Sequence, residues 1–224
     1  MDIEDSHKFY MLQASWTHST RNHLYRRCGL LRAEKVLEVG SATGVLTVEL
    51  NNRTKGSVFS LDKDFNKLTF AKDYYPESTL VNADGLTMPF TDDTFDIVFC
   101  HYYLTWVSDI QKAIEEMLRI LKKNGYLIIA SEPDYDGIIE YPNRGIADAL
   151  RKTLRTQGME NKDTGRKINS ILSRTAVIEN AGVVSYLYDG ADLSLLEETC
   201  SVKFDEQKYY TFFQPIFYAS ARKK

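Results

Sequence analysis

The sequence predicts an α/β fold in which a mostly parallel, doubly wound sheet has helices on both faces. From residue 35 onward, short apolar runs alternate with helix-like stretches. Such alternation indicates parallel strands joined by helical crossovers. A turn rich in glycine follows the first apolar run, at the point where a strand would pass into a helix. The chain has 224 residues, which suits one domain over residues 1–224.

The central elements follow from these apolar runs and from the stretches between them. The strands are predicted at residues 35–39, 57–62, 79–84, 94–100 and 125–131. The helices between them are predicted at residues 44–53, 63–74 and 108–122. Asn124 and Gly125 follow the third helix, with Lys122 and Lys123 in its expected last turn, and this combination is typical of a helix end.

Residues on either side of this alternation predict additions to the sheet. Apolar side chains spaced through residues 3–28 indicate one or two amphipathic helices, so residues 1 to about 30 form a predicted helical cap. A second group of helices forms a predicted lid over about residues 132–182, and Gly182 is placed to end the last of these helices. The last predicted elements are helices at residues 143–157 and 165–180 and β-like runs at residues 183–188 and 211–220.

Composition excludes several classes of protein. The net charge of −3 argues against a general electrostatic grip on nucleic acid. No apolar run of the sequence is long enough to span a bilayer, and the acidic residues 1–5 are unlike a signal peptide. The three cysteines, Cys28, Cys100 and Cys200, are scattered and form neither a metal-ligand cluster nor a disulfide framework. We therefore expect a cytoplasmic protein without a metal, a nucleic-acid partner or a membrane partner.

The most informative segment is residues 36–44, Val-Leu-Glu-Val-Gly-Ser-Ala-Thr-Gly. Glu38 precedes a turn of small residues that contains Gly40 and Gly44. Asp62 closes the second apolar run, 18 residues after Gly44. Because the carboxyl ends of neighbouring parallel strands lie side by side, Asp62 would reach a ribose bound over the turn. These residues predict a site for a nucleoside-type cofactor.

Other interpretations of the glycine turn are possible. The dinucleotide fingerprint reads G-x-G-x-x-G, whereas this turn reads E-x-G-x-x-x-G, with a carboxylate that would repel a pyrophosphate. A nicotinamide-dependent oxidoreductase is therefore disfavoured. A P-loop is excluded because no Gly-Lys-Ser/Thr follows the turn. An ordinary α/β protein with a glycine-rich first turn is the alternative without a ligand.

The E-x-G-x-x-x-G segment resembles motif I of the class I S-adenosylmethionine-dependent methyltransferases. Residues 81–85, Val-Asn-Ala-Asp-Gly, and residues 94–99, Thr-Phe-Asp-Ile-Val-Phe, are similar to the third and fourth motifs of that family. The resemblance continues through residues 121–129 and 212–219. It implies a Rossmann-like, doubly wound, mostly parallel seven-stranded sheet with an antiparallel last strand and a helical lid.

The resemblance also implies which residues hold the cofactor, S-adenosyl-L-methionine. The ammonium and sulfonium groups of this cofactor suit carboxylates, and in this family an acidic side chain after the third strand accepts from the adenine amine. That role would fall to Asp84. The implied cofactor-binding residues are Glu38, Gly40, Ser41, Ala42, Gly44, Asp62, Lys63, Asp84, Gly85, Leu86 and His101.

Methyl transfer from a sulfonium is an in-line displacement with a good leaving group. Alignment and exclusion of water therefore matter more than a shared base, and no catalytic residue is assigned. His101 and Tyr102, which follow the fourth strand, are candidates. Aromatic faces suit a sulfonium, and the candidates for contact with the substrate are Tyr103, Trp106, Tyr135 and Tyr141. Polar or pocket-closing candidates from the cap and the lid are Trp16, Thr17, Arg21, Glu132, Asp134, Arg144 and Arg166.

Residues 16–21, 132–135 and 165–168 are similar to a small-molecule, ubiquinone-biosynthesis-like branch of the family. The segment after the fourth strand lacks the Asn/Asp-Pro-Pro-Tyr motif of many amino-directed nucleic-acid methyltransferases. The expected function is therefore S-adenosylmethionine-dependent methylation of a small molecule. The alternative is a non-catalytic protein that binds the cofactor or a partner with the same fold. The acceptor, the methylated atom and the oligomeric state are not predicted.

Overall fold

Eight strands form one sheet within residues 2–143, 145–187 and 211–224, which are the residues that the computed structural model describes. The strands are β1 (Lys35–Val39), β2 (Ser57–Asp62), β3 (Thr79–Asn82), β4 (Phe95–Cys100), β5 (Leu121–Pro133), β6 (Ile139–Tyr141), β7 (Ala176–Leu187) and β8 (Thr211–Lys223). The α-helices in the same ranges are α1 (Ile3–Trp16), α2 (His18–Arg27), α3 (Val45–Asn51), α4 (Phe65–Tyr74), α5 (Ile110–Ile120), α6 (Ile146–Thr156) and α7 (Thr164–Thr175).

The strands lie in the order β3-β2-β1-β4-β5-β8-β6, and β7 also pairs with β8. The first five strands pair in parallel, whereas β8 is antiparallel to β5, β6 and β7. The predicted mostly parallel sheet with an antiparallel last strand is confirmed. The strand beyond the predicted seven is the short β6, which pairs with residues 211–213 of β8.

Side chains along β1 alternate between two apolar layers, one on each face of the sheet. Val36 packs in a cluster with Leu24 of α2, and Leu37 packs in a separate cluster with Ile114 of α5. Successive side chains of a strand point to opposite faces, so both faces of β1 are covered. This explains why both faces of β1 carry apolar side chains, Val36 on one face and Leu37 and Val39 on the other.

The end of α7 differs from the prediction of a helix over residues 165–180. The helix ends at Thr175, and Ala176 is extended, with φ −135° and ψ 169°. Residues 176–187 pair with β8, and Gly182 lies opposite Tyr218 in that ladder instead of ending a helix. The β-branched side chains of Val177 and Ile178 favour a strand, and pairing with β8 provides the tertiary contacts that decide the outcome.

The end of α5 also differs from the predicted helix over residues 108–122. The helix ends at Ile120, because Leu121 already pairs with Phe95 of β4. Asn124 lies in the irregular stretch that follows and has a φ of 63°, a left-handed conformation that asparagine tolerates. The residues that were predicted to end the helix therefore lie within β5, at the register shift in its pairing with β4.

Helices α1 and α2 lie in the region of the predicted cap, and α6 and α7 lie in that of the predicted lid. Arg144, Cys200 and residue 188 of a predicted β-like run lie outside the described residues. In the described part of the chain, no helix is both long and apolar enough to cross a membrane. Those same residues contain no group of three His, Cys, Asp or Glu side chains placed to hold a metal ion.

Candidate functional site

A cavity of about 590 Å³ is lined by the loops that follow β1, β2, β3 and β4. These loops converge because parallel strands bring their carboxyl ends to one edge of the sheet. The predicted site residues that line it are Glu38, Gly40, Ser41, Ala42, Asp62, Lys63, Asp84, Gly85, Leu86, His101, Tyr102, Tyr103, Trp106 and Tyr135. Segments far apart in the sequence therefore contribute to one cavity.

Of the predicted cofactor-binding residues and aromatic substrate candidates, Gly44 and Tyr141 are not part of the cavity lining. Gly44 precedes α3 with a φ of 81°, and a Cβ at this position would lie 3.2 Å from the Cβ of Ala71. Gly44 is therefore needed for the backbone turn and for packing against α4. Tyr141 is 74% exposed on the short β6, so its position does not support the predicted contact with substrate.

Backbone hydrogen bonds hold the turn after β1. The N–H groups of Gly40 and Ser41 donate to the Leu61 carbonyl at 2.8 and 3.0 Å. Gly40 has a φ of 77°, a conformation that glycine adopts without strain. The hydroxyl of Ser41 is buried and has no hydrogen-bond partner among the described residues. A polar ligand in the cavity would satisfy this hydroxyl.

Asp62 has a structural role that the sequence did not reveal. Its Oδ2 accepts from the Ala42 N–H at 2.8 Å and its Oδ1 accepts from the Asp64 N–H at 2.9 Å. The carboxylate therefore ties the end of β2 to the turn after β1. Asp84 accepts from the Leu86 N–H at 2.8 Å in the loop after β3. Each carboxylate oxygen has more than one lone pair, so both side chains keep acceptor capacity for a ligand.

Glu38 is the most buried of the three carboxylates predicted to bind the cofactor, with 4% of its surface exposed. Its Oε2 accepts from the Thr47 hydroxyl at 2.5 Å. Burial raises the pKa of Glu38 to about 8, against the lowering effect of the Thr47 hydrogen bond, and the negative charge of Asp62 raises it further. A cation bound nearby would stabilise the ionised form of Glu38. The site therefore favours a positively charged ligand.

Tyr103 accounts for the glycines in two of the cavity loops. A Cβ on Gly40 would lie 2.5 Å from the Cδ2 of Tyr103, and a Cβ on Gly85 would collide with the Tyr103 hydroxyl. The ring of Tyr103 therefore lies directly against both glycine backbones. It forms a wall that joins the turn after β1 to the loop after β3.

His101 and Tyr102 both line the cavity. The Nε2 of His101 lies 3.0 Å from the Thr17 hydroxyl. Burial and the positive charge of Arg21 hold the pKa of His101 well below its usual value. Tyr102 has a φ of 51°, and its N–H donates to the Ser131 carbonyl at 2.7 Å. Both residues are positioned to contact a ligand, and their catalytic role stays a prediction.

Three polar residues that were predicted to contact substrate from the lid bind other protein groups instead. Glu132 is fully buried and accepts from the N–H groups of Tyr103 and Leu104, each at 2.8 Å. Asp134 is also buried and pairs with Arg166. None of the three lines the cavity. Glu132 holds the segment that carries Tyr103 to the cavity, so its effect on the site is indirect.

The predicted cap residues divide into two groups. Trp16 lines the cavity, whereas Thr17 and Arg21 do not. Arg21, which was predicted to close the pocket, is buried and pairs with Glu49 of α3 at 2.7 Å instead.

Other walls of the cavity were not identified from the sequence. They come from α1, from α6 and the residues after it, and from β8: Ser6, Phe9, Tyr10, Gln13, Leu150, Leu154, Gln157, Gly158, Glu160 and Gln214. The α1 residues recur every three or four positions, which places them on one face of the helix. Such spacing predicts a helix face, but it does not identify what that face covers.

Comparison with known sequences identifies the central part of the chain. Residues 37–129 match the family model described as a methyltransferase domain. The demethylmenaquinone methyltransferase of Corynebacterium efficiens is 34% identical over 115 residues, which are 51% of this chain and 47% of that protein. The chain spans about half the length of the curated relatives that it matches.

Comparison with solved structures extends the likeness to the whole fold. The YcgJ protein of Bacillus subtilis has a TM-score of 0.64 at 14% identity, covering 92% of this chain and 99% of that one. The N-methyltransferase NodS of Bradyrhizobium japonicum, solved with S-adenosyl-L-homocysteine, has a TM-score of 0.60 at 17% identity, covering 92% of this chain and 86% of that one. The acidic turn on the cavity lies within residues 37–129, which are similar to a methyltransferase domain, and the solved structures show that the chain shares their fold.

Proposed function

We propose that the protein transfers the methyl group of S-adenosyl-L-methionine to a small-molecule acceptor, and that this acceptor is a hydroquinone-type ring. The observation that carries the proposal is the placement of Glu38, Asp62 and Asp84 on one cavity that also has aromatic walls. The name of the Corynebacterium efficiens relative, a demethylmenaquinone methyltransferase, supports a ring-type acceptor.

The residues of the cavity fit the cofactor. Asp62 would accept from the ribose hydroxyls and Asp84 from the adenine amine, while Gly40 lets the ligand approach the backbone closely. The unpaired hydroxyl of Ser41 is available to a polar group of the ligand. Glu38 would balance the positive charge of the cofactor. When bound, S-adenosyl-L-methionine supplies a methyl group on a positively charged sulfur with a neutral leaving group.

The remainder of the cavity suits a flat apolar ring. Trp16 and Trp106 pack against a buried cluster that includes Tyr135, Leu150 and Leu154, and all five residues line the cavity. Aromatic side chains bury large apolar areas against a ring. These walls would exclude water and hold the acceptor in line with the methyl group. Such alignment is worth on the order of 7–11 kcal/mol of the barrier.

Two measurements test the proposal in sequence. First, S-adenosyl-L-homocysteine at about 100 times its Kd should stabilise the protein by roughly 2.7 kcal/mol, whereas NAD should have no effect. Second, the protein should transfer label from methyl-labelled S-adenosyl-L-methionine to a reduced naphthoquinone. Asp84→Asn should reduce both the stabilisation by S-adenosyl-L-homocysteine and the transfer of label. The matched control, Glu115→Gln on the exposed face of α5, should change neither.

Each result has a defined meaning for the proposal. Stabilisation by NAD and not by S-adenosyl-L-homocysteine would contradict the cofactor assignment. Stabilisation by S-adenosyl-L-homocysteine without labelled product, from the naphthoquinone or from a metabolite extract, would contradict the proposed activity and favour a non-catalytic binding protein. Label in another metabolite but not in the naphthoquinone would contradict only the hydroquinone acceptor.

A further inference from the structure

A buried chain of hydrogen bonds connects the N-terminal helices to His101. Arg21 is 1% exposed, and its Nε and Nη2 atoms donate to the two carboxylate oxygens of Glu49 at 3.0 and 2.7 Å. Its Nη1 donates to the Ala14 carbonyl at 2.6 Å and to the Thr17 hydroxyl oxygen at 2.9 Å. A guanidinium can only donate. The direction of the first hydrogen bond in the chain is therefore fixed.

Because Thr17 accepts from Arg21, its own hydroxyl proton is left to donate to His101. The Thr17 side chain accepts from Arg21 and lies 3.0 Å from the Nε2 of His101. Thr17 is 1% exposed, and the only acceptor for its hydroxyl proton among the described residues is this Nε2. If Nε2 carried the ring proton instead, the buried hydroxyl proton of Thr17 would have no acceptor, which is costly. The arrangement in which Thr17 donates to Nε2 satisfies every group.

The consequence for His101 follows from the chemistry of imidazole. A neutral ring has one donor and one acceptor nitrogen, so an accepting Nε2 places the proton on Nδ1. Burial of the ring and the neighbouring charge of Arg21 both lower the pKa of His101 and so oppose a second proton. Nδ1 has no hydrogen-bond partner among the described residues, and His101 lines the cavity.

We propose that Arg21 and Thr17 are positioning residues that hold His101 in its Nδ1–H form, so that the ring donates a hydrogen bond to an oxygen atom of a cavity ligand. In this form neither ring nitrogen is free to accept a proton, so His101 acts as a donor rather than as a general base. The Nδ1–H form is a property of the protein without ligand. Only its use in methyl transfer rests on the proposed function.

Nuclear magnetic resonance of protein labelled with ¹⁵N-histidine tests the position of the proton, and His101→Gln assigns the His101 signals. The wild-type protein should show a protonated Nδ1 and an accepting Nε2. Thr17→Val removes the donor and should shift the ratio of the two neutral forms by about tenfold toward Nε2–H. Thr17→Ser keeps the hydroxyl and should keep the wild-type form.

The control for this experiment is Thr54→Val. The Thr54 hydroxyl donates to the Ala33 carbonyl at 2.9 Å, away from the cavity, so this variant makes the same chemical change without touching His101. It should leave the His101 signals unchanged. A protonated Nε2 in the wild-type protein, or the same proton position in the wild type and Thr17→Val, would overturn the proposal.

The ligand oxygen has two possible sources, the carboxylate of the cofactor or an oxygen of the methyl acceptor. Addition of S-adenosyl-L-homocysteine should move the Nδ1–H signal if the cofactor supplies the oxygen. Addition of the reduced naphthoquinone to that complex should move it if the acceptor does. No movement with either ligand would overturn the donor role. Failure of S-adenosyl-L-homocysteine to stabilise the protein would instead contradict the proposed function, and the proton position in the free protein would still be measured.

Discussion

The raised pKa of Glu38 predicts a specific pH dependence of stability. In the folded protein this pKa is about 8, compared with an ordinary value of 4.5. Between these values the folded protein holds a proton that the unfolded chain has released. The contribution of Glu38 to the free energy of unfolding is therefore fully present below about pH 4.5, and it is lost as the pH rises through about 8. The pKa difference corresponds to at most about 5 kcal/mol.

Glu38→Gln tests this reasoning because glutamine is uncharged at every pH. Urea denaturation should be measured from pH 5 to pH 9 for both proteins without ligand. The free energy of unfolding of the wild type, relative to that of Glu38→Gln, should fall by about 2–5 kcal/mol across this range. In the proposed role of Glu38, saturating S-adenosyl-L-methionine should reduce this dependence, because a nearby cation favours the ionised carboxyl.

The control is Glu115→Gln, which removes an exposed carboxylate of α5. Its pH profile should run parallel to that of the wild type. A Glu38→Gln profile that is also parallel to the wild type would refute the reasoning, since the carboxyl of Glu38 would then titrate alike in the folded and unfolded states.

Two further predictions concern the backbone around the cavity. Gly40→Ala should weaken binding of S-adenosyl-L-homocysteine by more than about tenfold in isothermal titration. The φ of 77° and the close Tyr103 ring both disfavour a Cβ at this position. Wild-type affinity would show that the ligand does not need to approach the Gly40 backbone closely. Glu132→Gln should lower the free energy of unfolding in urea by about 1–3 kcal/mol at pH 8, because an amide nitrogen cannot accept from the Thr105 N–H as the carboxylate oxygen does. This cost should grow by about 1 kcal/mol from pH 8 to pH 6. Burial raises the pKa of Glu132 to about 7 in the folded protein, so below that pH the folded wild type gains a proton that the unfolded chain does not hold. An equal cost at pH 6 and pH 8 would contradict the raised pKa.

Features carried by short segments were predictable from the sequence. The strand, glycine turn and helix that contain Glu38 and Gly40 have local signatures, and parallel topology alone places Asp62 and Asp84 at the same edge of the sheet. The end of α7 was not predictable in the same way. The β-branched Val177 and Ile178 favour a strand only weakly, and pairing with β8 decides the outcome.

Contacts between distant segments explain what the sequence could not reveal. Glu132 was expected at the substrate, yet it is buried 28 and 29 residues away in sequence from two of the amides that it binds. Thr17 reaches His101 across 84 residues. A carboxylate or hydroxyl has the same chemistry in either setting. Its role depends on which backbone the fold brings within hydrogen-bond distance.

The position of β8 has a consequence for how the protein is made. This strand lies between β5 and β7 and also pairs with β6, although all three leave the ribosome before it does. The growing chain must therefore keep a gap beside β5, with unpaired edges on both sides, until the last strand emerges. Such late, long-range pairing slows folding and leaves strand edges open to other chains. Completion of the sheet thus waits for β8, and until then aggregation or capture by chaperones competes with folding.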